Sequence, residues 1–259
     1  MSDDAAPESL AEGSLISHLI ELRDRLLRAV IAVGVAFVPC AIWSDRLFTA
    51  IALPLIQKMP KGTSMIATRP MDTFMAPLKL AVLAGLFLAM PFVLYQVWAF
   101  VAPGLYKHEK RFAVPLVVSS IFLFYSGVAF AYFVVFPLMF AFLTTTGPSG
   151  VLIMTDMSQY LDFVMLLFFA FGVAFEIPVA TVLLASTGLV KVESMTKHRG
   201  YVLLGIFIVA AFLTPPDALS QSFMAVPMYL LYEVGIILSR ILLKERLARQ
   251  REEEHKASG

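Results

Sequence analysis

Three glutamates lie within or beside long apolar runs, where a carboxylate is costly and therefore informative. Glu21 lies in H-L-I-E-L-R, Glu109 in L-Y-K-H-E-K-R and Glu176 in A-F-G-V-A-F-E-I-P-V. A carboxylate held near apolar surroundings is a strong acceptor for a guanidinium, which favours bidentate pairing with carboxylate oxygens. Glu21 has a competing use as an i,i+4 partner of Arg25, worth about 0.2–0.5 kcal/mol. Glu109 has one as a local partner of Lys107 or Arg111. Glu176 falls near the middle of an apolar run. A carboxylate there costs about 2.5–3.5 kcal/mol in a bilayer, so it must face a cavity or carry a proton. Its competing use is as a neutral acid bonded to a neighbouring helix. Glu233 is placed similarly but nearer the end of its run, where a pair reaching Arg240 is the favoured reading.

No set of residues reads as an active site. The chain has no phosphate-binding glycine loop and no H-E-x-x-H, and His108 beside Glu109 lacks the second histidine that a zinc site needs. Cys40 is the only cysteine, which excludes an internal disulfide and any multi-cysteine metal site. It reads as a small packing residue. Neither a metal nor an organic cofactor is implied, nor a nucleic-acid partner, and any driving force must come from outside the chain, as from a transmembrane proton gradient.

The elements that position these residues are apolar. Six stretches, 29–43, 80–102, 112–142, 161–187, 201–213 and 223–239, interrupt a chain that is 59% hydrophobic and only 15% charged. A helix needs about 20 apolar residues to span the hydrocarbon core of a bilayer. The pattern predicts an all-α polytopic membrane protein with six transmembrane helices, a single integral membrane domain over 1–259. The ends, 1–13 and 241–259, read as disordered or solvated cytoplasmic tails. Arg28 followed by an apolar run resembles a signal peptide, but the acidic opening and the absence of a small-x-small cleavage site point to a retained first helix. Residues 14–28 have helical spacing, with Leu15, Leu19, Leu22 and Leu26 on one stripe and Ser14, His18, Glu21, Arg25 and Arg28 on the next.

Charge orients the spans. Arg23, Arg25 and Arg28, then Lys107, Lys110 and Arg111, then Lys191, Lys197 and Arg199, and finally the basic tail beyond Ser239 all fall on one side. The other side carries Arg46, Lys58, Lys61, Arg69 and Lys79 in its first loop and none in its later ones. Cytoplasmic loops collect Lys and Arg, so both termini are expected inside. Pro39, Pro91, Pro115, Pro137, Pro178 and Pro227 should kink the spans into a curved, concave bundle. The last two spans should be short. Thirteen residues, Tyr201–Leu213, reach only about 20 Å, roughly 10 Å less than the hydrocarbon core. Phe112–Phe142, conversely, is too long and should tilt or emerge beyond Pro137. Outside the spans, Leu47–Ile56 reads as an interfacial piece, and Asp217 after Pro215 and Pro216 as a helix cap.

Several long strings in one order resemble the TatC family of the twin-arginine protein translocase. They are H-L-I-E-L-R, Y-Q-V-W-A-F-V-A-P-G-L-Y-K-H-E-K-R, F-G-V-A-F-E-I-P-V and L-T-P-P-D-A-L-S-Q, and the match covers about residues 14–240. The resemblance implies a receptor, in the bacterial inner membrane, for folded export substrates whose signal peptides bear paired arginines. It assigns signal-peptide binding to Glu21 and Glu109, with Arg23, Phe100 and Lys107 in support. Glu176 and Gln221 become intramembrane polar positions facing partners, and Pro54 and Asp217 structural positions of the outer loops. The implied partners are single-span subunits of the TatA and TatB type, membrane lipid and further copies of the chain. Paired arginines need two acceptors, which Glu21 and Glu109 would supply. The alternative from another class is a proton-coupled secondary transporter with Glu176 as its relay, which would take up solute with this chain alone. An intramembrane enzyme would need a catalytic partner facing Glu176, and none is evident.

Overall fold

In the computed structural model of the chain, residues 6–58, 66–105, 113–145, 156–214 and 218–257 are described. Among them no strand forms, and a single parallel bridge pairs Ile66 with Asp156. An apolar chain in lipid must satisfy its backbone within each segment, which selects helices. Five stretches are long and apolar enough to cross a membrane: Ile16–Ile42, Asp72–Val101, Val114–Met139, Met157–Ser186 and Ala218–Lys244. The architecture is an all-α polytopic membrane bundle. The remaining apolar run forms a shorter helix, Arg199–Leu213. Contrary to the expectation of two short final spans, the last apolar run is not short, because its helix continues through the polar residues on both sides of 223–239. Only the fifth apolar run stays short. Helical backbone runs from Ala6 at the amino-terminal end and up to Ala257 at the carboxy-terminal end.

The chain divides into two compact units. The first comprises Met1–Ala50 and Phe74–Ile121. It contains α1 (Ala6–Ile42), most of α3 (Asp72–Leu105) and the start of α4 (Ala113–Phe130). Helices α1 and α3 meet closely at Gly85, where an added Cβ would lie 2.8 Å from the Phe37 Cα. Cys40 is buried in α1, as a packing residue would be. Helix α2 (Ser44–Lys58) follows α1 after one residue, Trp43, whose carbonyl receives the N–H groups of Arg46 and Leu47. The stretch Leu47–Ile56, read from sequence as an interfacial piece, lies within this helix, as does Pro54.

The second unit comprises Ile51–Thr73 and Phe122–Gly259. It adds α5 (Phe136–Thr145), α6 (Met157–Ala174), α7 (Ile177–Ser186), α8 (Val192–Lys197), α9 (Arg199–Leu213) and α10 (Ala218–Ala257). Gly127 of α4 lies against the Phe171 carbonyl of α6, and Gly172 of α6 lies under the Phe124 ring. Gly235 of α10 lies against Thr181 and Pro178 of α7. Two apolar clusters bind the carboxy-terminal helices, one around Ala185, Met195, Tyr232 and Ile236 and one around Ala174, Ile206, Ala225 and Met228.

Two prolines act visibly on the backbone. Pro137 has no N–H to give to the turn before it, and its ring crowds that turn's carbonyls. The helix widens there into a π-turn over Ala131–Val135, with the Phe136 N–H reaching back to the Ala131 carbonyl. The long third run therefore continues as α5 through a widened turn. Pro178 likewise offers no N–H to Ala174, and the fourth span splits into α6 and α7 at Phe175 and Glu176. The Glu176 N–H turns instead to the Val173 carbonyl at 3.0 Å.

The close crossings generate a stability prediction. Gly85→Ala and Gly127→Ala should each destabilise the protein by about 1–3 kcal/mol, because the added methyl meets backbone that must move. Gly34→Ala should not, since nothing lies within 4 Å of a Cβ there. Thermal unfolding in detergent, with all three variants compared, measures the difference.

Candidate functional site

The best-built polar site among the described residues lies where the amino-terminal part of α1 meets the end of α3. Helical spacing places His18, Glu21 and Arg25 on one face of α1. Gln96 and Phe100 are one turn apart on α3 and meet that face in antiparallel order. The His18 and Phe100 rings stack with centroids 4.3 Å apart and planes inclined by 19°. One helical step along, the Arg25 guanidinium donates from Nε and Nη2 to Glu21 Oε1, at 2.8 and 2.6 Å. Its Nη1 donates to Gln96 Oε1 at 3.3 Å. Gln96 is buried, whereas Glu21 and Arg25 are half-buried. The pair foreseen as the competing use of Glu21 is therefore formed. Glu21 Oε2 takes no hydrogen bond among the described residues.

Arg23 does not join this cluster. Two residues from Glu21 it points to another side of α1, where it is exposed and pairs with its neighbour Asp24 at 2.8 Å. Glu109, Lys107 and Asp217 lie outside the described residues, as does the side chain of Pro54. Of the sequence-derived signal-peptide positions, the structure thus brings Glu21 and Phe100 to one surface, bridged by His18, Arg25 and Gln96. Of those three bridging residues, Gln96 was not singled out from sequence, although it stands in the same motif as Phe100.

Glu176 occupies the break between α6 and α7, within the span Met157–Ser186. Both of its carboxylate oxygens are shut off from solvent. Gln221 is half-buried in the first turn of α10, next to the buried Ser220. Glu233 departs from expectation. It pairs with Arg199 of α9 at 2.7 Å and accepts from the Tyr229 hydroxyl at 2.8 Å. Arg240, its expected partner, donates instead to Thr196 Oγ1 at 2.7 Å. Glu233 and Arg240 are seven residues apart on one helix, two turns, and the packing of α9 on α10 supplies a nearer cation.

A second polar assembly was missed. Asp156 caps α6, with Oδ1 accepting from the N–H groups of Ser158 and Gln159, each at 3.0 Å. Its Oδ2 accepts from the N–H and the hydroxyl of Thr68, at 3.1 and 2.6 Å. The Met157 N–H completes the connection on the Ile66 carbonyl at 2.9 Å. One carboxylate thereby ties residues 66–68 to the start of a span. The signal was available, since an Asp directly before an apolar helical run is an N-cap signature. These hydrogen bonds to its charged form, led by that from the Thr68 hydroxyl, hold the Asp156 carboxyl down at about 2.

The fold is that of a helical membrane protein, and its clearest polar site among the described residues can hold a guanidinium. Comparison with known proteins identifies the family. Residues 17–227 match the family model for Sec-independent protein translocase protein (TatC). A Sec-independent protein translocase protein TatC from Azotobacter chroococcum mcd 1 is 53% identical over 245 residues, covering 94% of this chain and 96% of the relative. The TatC protein of Escherichia coli strain K12 is 52% identical over 239 residues, covering 92% of each. A crystal structure of the twin arginine translocase receptor TatC superposes with a TM-score of 0.79 at 34% identity, covering 86% of this chain and 98% of that one. The chain belongs to the TatC family. It is a receptor and core subunit of the twin-arginine translocase, a non-enzymatic, multi-pass protein of the bacterial inner membrane.

The Asp156 assembly predicts an acid dependence. Its carboxyl is depressed from 3.8 to about 2, so its contribution to stability is complete above pH 4 and is lost as pH falls towards 2. Asp156→Asn should unfold at a lower temperature than the native protein at pH 7. The gap between them should close as the pH of the melt is lowered through that window.

Proposed function

We propose that Glu21 and Glu109 together receive the paired arginines of a signal peptide at the cytoplasmic face, with Phe100, Lys107 and Arg23 bordering the bound segment. One observation carries this reading. At the head of the first span, Glu21 Oε1 takes two N–H groups of a guanidinium at 2.6 and 2.8 Å, so the site has the chemistry that an arginine ligand requires. A second arginine needs a second acceptor, and Glu109 stands in the matching motif. Six crossings with both termini inside follow from the basic segments between the apolar runs. Glu176 and Gln221 are the polar points offered to single-span subunits of the TatA and TatB type, with lipid and further copies of the chain completing the complex. Gln221 at the head of α10 can hydrogen-bond a partner helix in lipid, an interaction worth about 0.6–2 kcal/mol.

Helix α9 gives this reading a transport step. Its 15 residues reach roughly 22 Å, about 8 Å less than the hydrocarbon core. Lipid beside it must thin, or a partner helix must cover the mismatch, at fractions of a kcal/mol per Å.

Two measurements test these assignments. Glu21→Gln and Glu109→Gln should each weaken signal-peptide binding by about 1.5–3 kcal/mol, the range for a hydrogen bond to a charged group, with membrane insertion unchanged. Unaltered peptide affinity at moderate salt would remove that residue from the site. Lengthening α9 by about two turns, with helix phase restored, should leave peptide binding intact and impair export. Full export by a series of such variants would make the short helix a packing feature only.

A further inference from the structure

We propose that Arg25 is a resident occupant of the guanidinium site, displaced from Glu21 when a signal-peptide arginine binds. The inference rests on Glu21 being an acceptor for that ligand. The Arg25 guanidinium already makes the contacts that an incoming arginine would make, two N–H groups on one carboxylate oxygen, within 2.8 Å. It is also the more enclosed partner, with 21% of its side chain exposed against 39% for Glu21. Arg23, two residues away, is 68% exposed and among the described residues bonds its own neighbour Asp24, so lodging of this kind is not general to the basic residues of α1.

The geometry also supplies a place for the displaced group. Arg25 Nη1 is bonded across to Gln96 Oε1, a buried acceptor on α3. An arginine that releases Glu21 keeps this second anchor and stays within the site. Its long side chain can pivot about that contact while Glu21 turns its carboxylate to the ligand. Glu21 is the more exposed partner, at 39%, which gives the ligand a first point of attachment before Arg25 lets go. Exchange proceeds through a shared carboxylate, so Glu21 stays paired throughout, while the displaced Arg25 exchanges its carboxylate for the neutral Gln96 amide, and that loss is the cost of displacement.

The consequence for recognition is specific. Displacing Arg25 costs the same whatever cation arrives. It therefore lowers the affinity of every signal peptide by a common factor and leaves untouched the preference for arginine over lysine, which comes from the paired donors of the guanidinium. Arg25 sets the threshold of binding, whereas Glu21 sets its selectivity.

The test uses the full-length protein in lipid nanodiscs. Fluorescent synthetic signal peptides carrying Arg-Arg or Lys-Lys are titrated against the native protein, Arg25→Gln, Glu21→Gln, the double variant and Arg28→Gln. Arg25→Gln should bind both peptides about two- to fivefold more tightly, the range for a half-exposed ion pair, with the ratio between the peptides unchanged. The gain should vanish when Glu21 is already Gln. Arg28→Gln removes the same charge one turn on, at an exposed position, and should bind as the native protein does. Equal or weaker binding by Arg25→Gln, an equal gain in Arg28→Gln, or a gain that survives without Glu21 would each overturn the proposal. If Arg25→Gln does not fold, Arg25→Lys replaces it. Lysine keeps the charge but not the paired donors, and should give a smaller gain, with none counting against the proposal. Loss of affinity in Glu21→Gln without a gain in Arg25→Gln would refute the resident occupant alone. An unchanged Glu21→Gln would refute the binding site and the occupant with it.

Discussion

The bilayer offers no water to an unpaired polar group, and each feature that sets this chain apart from a plain helical bundle answers to that condition. Backbone N–H and C=O groups must find partners within the protein. Where a proline removes a donor, the helix has to change its hydrogen bonding locally rather than open. At Pro137 it does so by winding wider, the Phe136 N–H stepping back to Ala131. At Pro178 it breaks: the Phe175 N–H keeps its ordinary bond to the Phe171 carbonyl, and the Glu176 N–H turns to the carbonyl of Val173. The second solution leaves a carboxylate at the break. The Phe175 ring beside it packs 5.6 Å from that of Phe130, within one unit of the protein. The interruption before Pro178 thus coincides with a place where a polar side chain is lodged.

Charges obey the same rule as the backbone. Glu21 is met by Arg25, Glu233 by Arg199 and Tyr229, and Asp72 by Arg69 at 3.0 Å. Asp156 takes four hydrogen bonds from two chain segments. Such pairs are modest in net energy, yet removing one member strands the other where desolvation makes it costly. They act by fixing geometry more than by adding stability. The carboxylate that caps α6 also fixes a loop, and the one that pairs across α9 and α10 also sets how those helices lie on each other.

Legibility in the sequence followed the range of the interactions. Helix type and the six apolar runs were readable because lipid acts on every residue of a span alike, and the family motifs because they are contiguous strings. The stripe of His18, Glu21 and Arg25 was readable from spacing within one helix. Partners brought together by tertiary packing were not. Glu233 was assigned to Arg240 on its own helix, whereas Arg199, 34 residues away in sequence, is the cation it meets. Gln96 gave no signal of its contact with Arg25, which depends on how α1 and α3 cross at Gly85. The end of the sixth run was misjudged because apolar composition ended there and the helix did not. Asp156 was a different kind of miss, since its capping position was visible and only its reach to Thr68 required the fold.

A receptor for a cationic ligand at a lipid edge faces two conflicting demands. Its carboxylate must be open to the ligand, yet an unpaired carboxylate in that setting is costly. An internal guanidinium on the same face resolves the conflict, because it gives Glu21 two donated hydrogen bonds and, in the proposed reading, can be exchanged for a group of the same kind. A lysine in that position would hold the charge less well, having one point of contact instead of two parallel donors. A permanent partner buried on every side would hold it too well. The arrangement between these limits, a guanidinium anchored on one side by Gln96 and bonded on the other to a half-exposed carboxylate, is the one this chain adopts.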